Sequence, residues 1–270
     1  MRAGIRKKIL EDVNILNDCY EPNVPTFEAP KPYAVVVQGA DSSSQDPTSF
    51  QRSVEIWIYA EMESFQSLDS LADEVIKSLD LQTFTDPNTN ISYTASYNGT
   101  LGAQDIIDEE WKAIVRGLSF NVIALYNSNT NSDNWEKSIA DFINKKVNVK
   151  TYDGTWRKDF QVPSVLCRTI NSNLQGINYS LYKQAKDMRI HVVGQDKGQI
   201  DGLINDIERE LITAIKVPLM EEDRRFLIVE SIREDRTSSM LGVGQITVSL
   251  SRLQRIDRGG VFIEKIYGRN

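Results

Sequence analysis

The chain has 270 residues, 40% hydrophobic and 26% charged, with a net charge of −7 at pH 7. This composition excludes a disordered chain, and no apolar run approaches the ~20 residues of a membrane helix, so no membrane partner is expected. The acidic balance argues against general nucleic-acid binding. Two solitary cysteines, Cys19 and Cys167, have no metal-type spacing and are expected as reduced thiols.

The first ten residues are basic with no apolar run behind them, so no signal peptide is expected and the protein should stay where it is made. Ile5, Ile9, Val13 and Leu16 predict a helix over 5–16. Pro22, Pro25, Pro30 and Pro32 impose an extended connection into a strand over 33–38, followed by a polar loop from Gly39 to Pro47. A strand from about Phe50 to Ala60 alternates. Val54, Ile56, Ile58 and Ala60 take one face; Glu55, Trp57 and Tyr59 take the other, where Trp57 and Tyr59 are candidates for partner contact. Leu68, Leu71, Ala72, Val75, Ile76 and Leu79 then form the stripe of an amphipathic helix. After a turn cluster at 85–90, strands are predicted over 92–98 and 111–125. The long acidic loop between them, 99–110, holds the candidate interface residues Asp108, Glu109 and Glu110.

Asn127 to Asn134 reads as a linker by composition. A helix follows, with Trp135, Ile139, Phe142 and Ile143 as its stripe and Asp133 or Asn134 as its cap. Residues 147–157 read as an extra hairpin turning at Asp153-Gly154, without counterpart earlier in the chain. From there the chain repeats itself. Adding 132 carries the Leu68–Leu79 stripe onto Ile200, Leu203, Ile204, Ile207, Glu208 and Leu211, and five of six positions stay apolar. The same offset carries Ile56, Ile58 and Ala60 onto Met188, Ile190 and Val192, and 33–38 onto 165–170. The closing strands, 226–231 and 245–250, align at an offset of 126, as if six residues had been lost before them.

This is a tandem duplication with the period of a whole domain. It predicts an α+β protein of two similar tandem domains, 1–126 and 135–253, joined by the linker 127–134. Each is an antiparallel or mixed sheet with two helices in the order α-β-β-α-β-β. A C-terminal arm, 254–270, follows, with a Gly259-Gly260 hinge. Its Val261, Phe262, Ile263, Ile266 and Tyr267 either extend a neighbour's sheet or fold back on their own subunit.

No chemistry-bearing constellation emerges. His191 is the only histidine and is expected to be packed or at the surface; Gly242 and Gly244 have no phosphate loop around them. The acidic clusters 108–110 and 221–223 sit at predicted strand edges and turns, where solvated charge is ordinary. No catalytic residue, metal or cofactor is expected, and the chain is not expected to be an enzyme. Arg233, Arg236, Arg252, Arg255 and Arg258 are the one basic concentration, too sparse and too poor in interleaved aromatics for a nucleic-acid patch, and are read as protein-contact residues. Residues 1–132 carry 9 Lys and Arg against 19 Asp and Glu, while residues 133–270 carry 22 against 19. The two copies therefore differ in sign. That is either drift on solvated faces or complementarity, to different neighbours or to each other across a subunit boundary.

The order of elements over 5–126, repeated over 135–253, resembles the tail terminator (tail completion) proteins of tailed bacteriophages. A helix leads to a Pro-flanked strand, the strand Phe50–Tyr59, the helix at Leu68 and a closing hairpin. Most members are single domains, so the duplication departs from the pattern. The resemblance implies a ring at the end of the tail tube, in the virion at the tail-neck junction and assembled in the host cytoplasm. The implied partners are other copies of the chain (a hexamer, with a trimer as the alternative), tail tube protein, sheath protein in a contractile tail, and a neck or head-completion protein. DNA would pass the bore without specific binding. Two other readings remain: a neck or baseplate adaptor of the same particle, or a cellular ligand-binding regulatory module with paired ferredoxin-like domains.

Overall fold

A computed structural model describes residues 1–42, 50–127, 133–220 and 225–255. The first half runs α1 (Arg2–Asp12), β1 (Asp18–Tyr20), β2 (Tyr33–Ser42), β3 (Gln51–Glu61), α2 (Phe65–Leu79), β4 (Thr83–Thr85), β5 (Ser92–Asp108) and β6 (Ala113–Ala124). The second runs α3 (Asn134–Val147), β7 (Lys150–Asp153), β8 (Ser164–Asn178), β9 (Leu181–Val193), α4 (Lys197–Ala214), β10 (Lys216–Met220), β11 (Arg225–Glu234) and β12 (Ile246–Arg255).

Each half builds one six-stranded sheet, and the strand orders match. The first is β1-β2-β3-β6-β5-β4; the second, from its parallel edge, is β7-β8-β9-β12-β11-β10. Among the strand pairs of the described residues, only β1–β2 and β7–β8 are parallel. The protein is thus α+β, with two similar mixed sheets in tandem and two helices on each. In both halves an edge strand precedes the first predicted strand and another follows the second helix. These edges are three to five residues long, too short to show a period.

The helices bury the faces their spacing assigns. Ser64 and Asp196, 132 residues apart, both cap a helix with their side chains. Leu68, Leu71, Ala72, Val75 and Leu79 of α2 are buried against Val54, Ile56, Ile58 and Ala60 of β3. In the second half Ile204, Ile207 and Leu211 meet Met188, Ile190 and Val192. Each such fully buried aliphatic side chain contributes roughly 1.5–3 kcal/mol. Asp133, rather than Asn134, caps α3 in a capping box with Glu136. The buried Glu136 carboxylate also accepts from the Thr169 amide at 2.7 Å, fixing α3 to β8. Burial raises the pKa of that carboxyl.

Several sequence expectations change. The helix predicted over 5–16 ends at Asp12, although Val13 and Leu16 stay in the core. The loop expected from Gly39 is strand as far as Ser42; residues 43–49 lie outside the described residues. The acidic "loop" 99–110 is mostly β5, whose ladder shifts register at Tyr97/Gly99 and Leu101/Ile106. Gly99 and Gly102 take positive φ there, the backbone a bulge requires and a side chain resists. The 147–157 hairpin does not form. Its first arm, β7, pairs parallel with β8, as β1 does with β2, so the region has a counterpart after all.

Two alignments also shift. Tyr59 pairs with Tyr33 and its equivalent His191 pairs with Leu166, so β2 and β8 match at 133 rather than 132. Ile56 pairs with Leu118 and Met188 with Val248, so β6 and β12 match at 130 rather than 126. The net loss before the last strand is two residues, not six.

The second bulge of β5 is pinned by Arg116 of β6, which donates twice to Asp105, at 2.7 and 2.6 Å, and lies 2.7 Å from Asp69 of α2. These bonds to Arg116 hold the Asp105 carboxyl below its usual range. Arg116→Ala is expected to lower stability by about 2 kcal/mol in urea unfolding at pH 7. Because the folded-state pKa of Asp105 is depressed, that difference should shrink as the pH falls below the ordinary carboxylate value near 4.

Candidate interaction surface

The outer face of the first sheet, opposite its helices, carries an aromatic groove. Strand alternation sends Trp57 and Tyr59 of β3 to this face, and the β2–β3 register sets Tyr33 directly across from Tyr59. The Tyr33 and Tyr59 rings stack at 4.9 Å. Trp111, in the β5–β6 turn, leans on Tyr59 at 6.3 Å, and Phe27 of the Pro-rich connection lies 4.6 Å from Trp111. With Pro22 and Pro25 they enclose about 760 Å³. The Trp57 indole N–H donates to Glu55 at 2.9 Å. The two predicted aromatics therefore share a site, partly roofed by their own chain. Tyr33, Phe27 and Trp111 were not singled out from sequence, because each lies outside the alternating run that exposed Trp57 and Tyr59.

The acidic turn borders this groove. Asp108 closes β5 and accepts from the Trp111 amide at 3.0 Å, and Glu109 and Glu110 are exposed in the turn. Burial first, then neighbouring Tyr59 and Asp108, push the Tyr33 hydroxyl up to about 12; burial and Asp108 raise that of Tyr59. The Tyr33 hydroxyl is buried with no hydrogen-bond partner among the described residues.

The arginines are not brought together. Arg236, in the turn after β11, donates to Glu234 at 3.0 Å and to Asn205 of α4 at 2.7 Å, and lies 3.3 Å from Asp201. Arg233, on β11, pairs with Thr247 at the start of β12. Arg252 and Arg255 lie at the other end of β12, roughly 16 Å or more along the strand. Arg255, expected in the arm 254–270, thus belongs to the sheet with Arg252. Arg258, Val261, Phe262, Ile263, Ile266 and Tyr267 lie outside the described residues, as do Glu221, Glu222 and Asp223.

Arg252 and Arg255 flank a second feature, a tongue. Beyond their last core residues, Cys167 and Met188, strands β8 and β9 continue as a ribbon turning at 179–180, with the end of β12 alongside β9. Its root is held by Lys183 to Glu230 at 2.6 Å and by Lys186 to Asp133. Its large apolar residues are open to solvent: Leu174 is 64% exposed, Ile177 51% and Tyr179 75%. Sequence reasoning missed the tongue because 171–180 reads as Asn, Ser and Gln with scattered apolar residues.

Between the sheets lies a third core. Ile123 and Leu125 meet Tyr152, Trp156, Phe160, Leu166, Val193 and Leu241. Backbone bonds from the Tyr126 amide to the Trp156 carbonyl (2.9 Å) and from the Lys158 amide to the Tyr126 carbonyl (3.0 Å) stitch the halves together. His191 is fully buried beside this core. Its Nε2 accepts from Arg168 Nε at 3.0 Å, so the neutral ring carries its proton on Nδ1, 3.0 Å from the Met240 carbonyl. Among the described residues no group of three or more His, Cys, Asp or Glu is placed to hold a metal ion. Cys19 and Cys167 are free and buried, and burial pushes both thiols up, Cys19 to about 12.

No family model and no curated protein matches the chain. Among solved structures, a chain from the virion of a native gene transfer agent particle is similar. It is 13% identical, with a TM-score of 0.35, and the match covers 46% of this chain and 93% of that chain.

Proposed function

We propose that the chain is a structural, non-catalytic component of a tailed-phage-like particle, a terminator that rings the end of the tail tube. The observation that carries the reading is the tongue, a basic ribbon bearing Leu174, Ile177 and Tyr179 in solvent. Apolar side chains gathered at an outlying edge suit a surface that a neighbour covers. The matching strand orders of the two sheets add support, since a repeated unit whose copies carry opposite charge can present unlike faces to tube and neck. Either six chains or three would complete the ring. In a contractile tail it would also meet the last sheath layer, and acidic first domains facing the bore would let DNA pass without adhering.

The test is polymerisation of the particle's tail-tube protein with and without this chain. Small amounts of the chain are expected to stop tube growth and leave short capped tubes, with Leu174→Asp/Tyr179→Asp much weaker. Tube lengths that do not change would dismiss termination. A second reading, the paired-domain ligand-binding module, is favoured by a cleft of about 750 Å³ between the halves, where Lys77, Asp80 and Gln82 face Gln161 and Gln195. A chain that leaves tubes untouched and binds one small polar ligand per molecule would select it.

A further inference from the structure

We propose that the tongue of one copy seats in the aromatic groove of a second copy, linking the second domain of one chain to the first domain of the next. The inference deepens the ring reading, but the contact is defined and tested by itself.

The two surfaces are complementary in shape class and in charge. The groove is aromatic, and the two segments that frame it carry more acid than base: Glu21 (paired with Arg6), Glu28, Asp108, Glu109 and Glu110 against Lys31 and Lys112. The tongue is the reverse. Its exposed apolar side chains are accompanied by Arg252 and Arg255, on the strand end that pairs with 181–184. The groove volume of about 760 Å³ falls within the roughly 300–1,000 Å³ typical of sites that enclose several ring-sized groups. It can hold the tip around Tyr179 together with Ile177. The opposite charges of the two halves, 9 cations against 19 anions and 22 against 19, steer copies into this orientation and oppose groove-to-groove pairing.

None of the groove's lining residues belongs to the tongue, so donor and acceptor patches are different surfaces of one chain. Made head to tail, such a contact repeats from copy to copy and closes into a ring or runs on as a filament; made twice across a two-fold axis, it closes a reciprocal dimer.

A crosslinking experiment reads the contact directly. One batch of the full chain carries Ser180→Cys at the tongue tip, the other Thr26→Cys at the groove. The native Cys19 and Cys167 are buried and stay silent. Mixed at high concentration, or on tube ends, and oxidised, the two batches should form tongue-to-groove disulfides in preference to tongue–tongue or groove–groove products. Glu109→Lys/Glu110→Lys in the groove batch should cut the yield roughly tenfold, and Arg252→Glu/Arg255→Glu in the tongue batch should restore most of it. Absence of the mixed disulfide, a predominance of symmetric products, or a charge swap that fails to rescue would each overturn the proposal. Capped tubes without the mixed disulfide would sink this contact and spare the terminator reading. The mixed disulfide with unaltered tube lengths would do the reverse.

Discussion

Trp156→Ala is expected to lower the unfolding free energy by roughly 3–5 kcal/mol, among the largest losses available to a single truncation in this chain. The indole is fully buried and packs edge-on against Tyr152 (5.7 Å), Phe160 (5.2 Å) and His191 (6.1 Å), while its N–H donates to the Leu241 carbonyl at 3.1 Å. Alanine leaves a void among seven other fully or nearly fully buried residues and strips Leu241 of its donor. The void lies between the sheets, so the effect should be qualitative as well as large. The Tyr126 backbone bonds to 156 and 158 survive the substitution but lose the packing that shields them. In urea, the wild-type chain should unfold in one transition and the variant in two, with the second half melting first. Trp156→Phe, which loses the indole bond but keeps most of the volume, should cost a fraction of that. A Trp156→Ala protein that unfolds in one step with less than about 1 kcal/mol lost would mean that this core does not couple the halves.

The duplication was legible because the residues that reveal it face a core. Val54, Ile56 and Ile58 and the stripe of α2 recur in the second half because both copies bury the same faces under the same helix. Where a strand has two buried faces, that signal fails. Both Val165 and Leu166 are buried, one under the helices and the other under Trp156. With no alternation to set the register, the sequence alignment slipped by one residue, which exchanges the faces of a strand. The short parallel edges β1 and β7 left no period at all. Asp153-Gly154 misled for another reason. Gly154 does take a positive φ of 74° and ends β7, but the chain then crosses to the interdomain core and not back along its partner.

The candidate site was half legible. Trp57 and Tyr59 stood out as aromatics on the wrong face of an alternating strand, and the structure joins them to Tyr33, Phe27 and Trp111. The arginines stood out only by being close in sequence. A ladder separates such residues by strand length, and Arg236 and Arg252 end on opposite ends of the sheet. The tongue carries too few apolar residues to mark a strand, since exposed strands have no core to write their period.

Between pH 7.5 and pH 5 the protein should lose about 2 kcal/mol of stability through His191 alone. Burial first, then the Arg168 and Arg189 cations, push the imidazole pKa down to about 3 from 6.5, against a weaker upward pull from the Met240 carbonyl. The sign follows directly. Above pH 6.5 the ring is neutral in both states and contributes no slope. Below it the unfolded chain takes up a proton that the folded one refuses, so stability falls until the pH reaches the folded value. Buried carboxyls such as Glu136, whose pKa is raised, work in the opposite direction at lower pH, so the total curve is not the test. The difference between wild type and His191→Gln is. The variant should be less stable at pH 7.5, because Arg168 and Met240 lose their fitted partner, and its deficit relative to wild type should shrink by about 2 kcal/mol by pH 5. A difference between the two proteins that is the same at both pH values would show that the ring protonates in the folded protein. The ring packs on Trp156, so the acid-sensitive part of the chain is the joint between the domains. A shared change there should loosen the second half before the first.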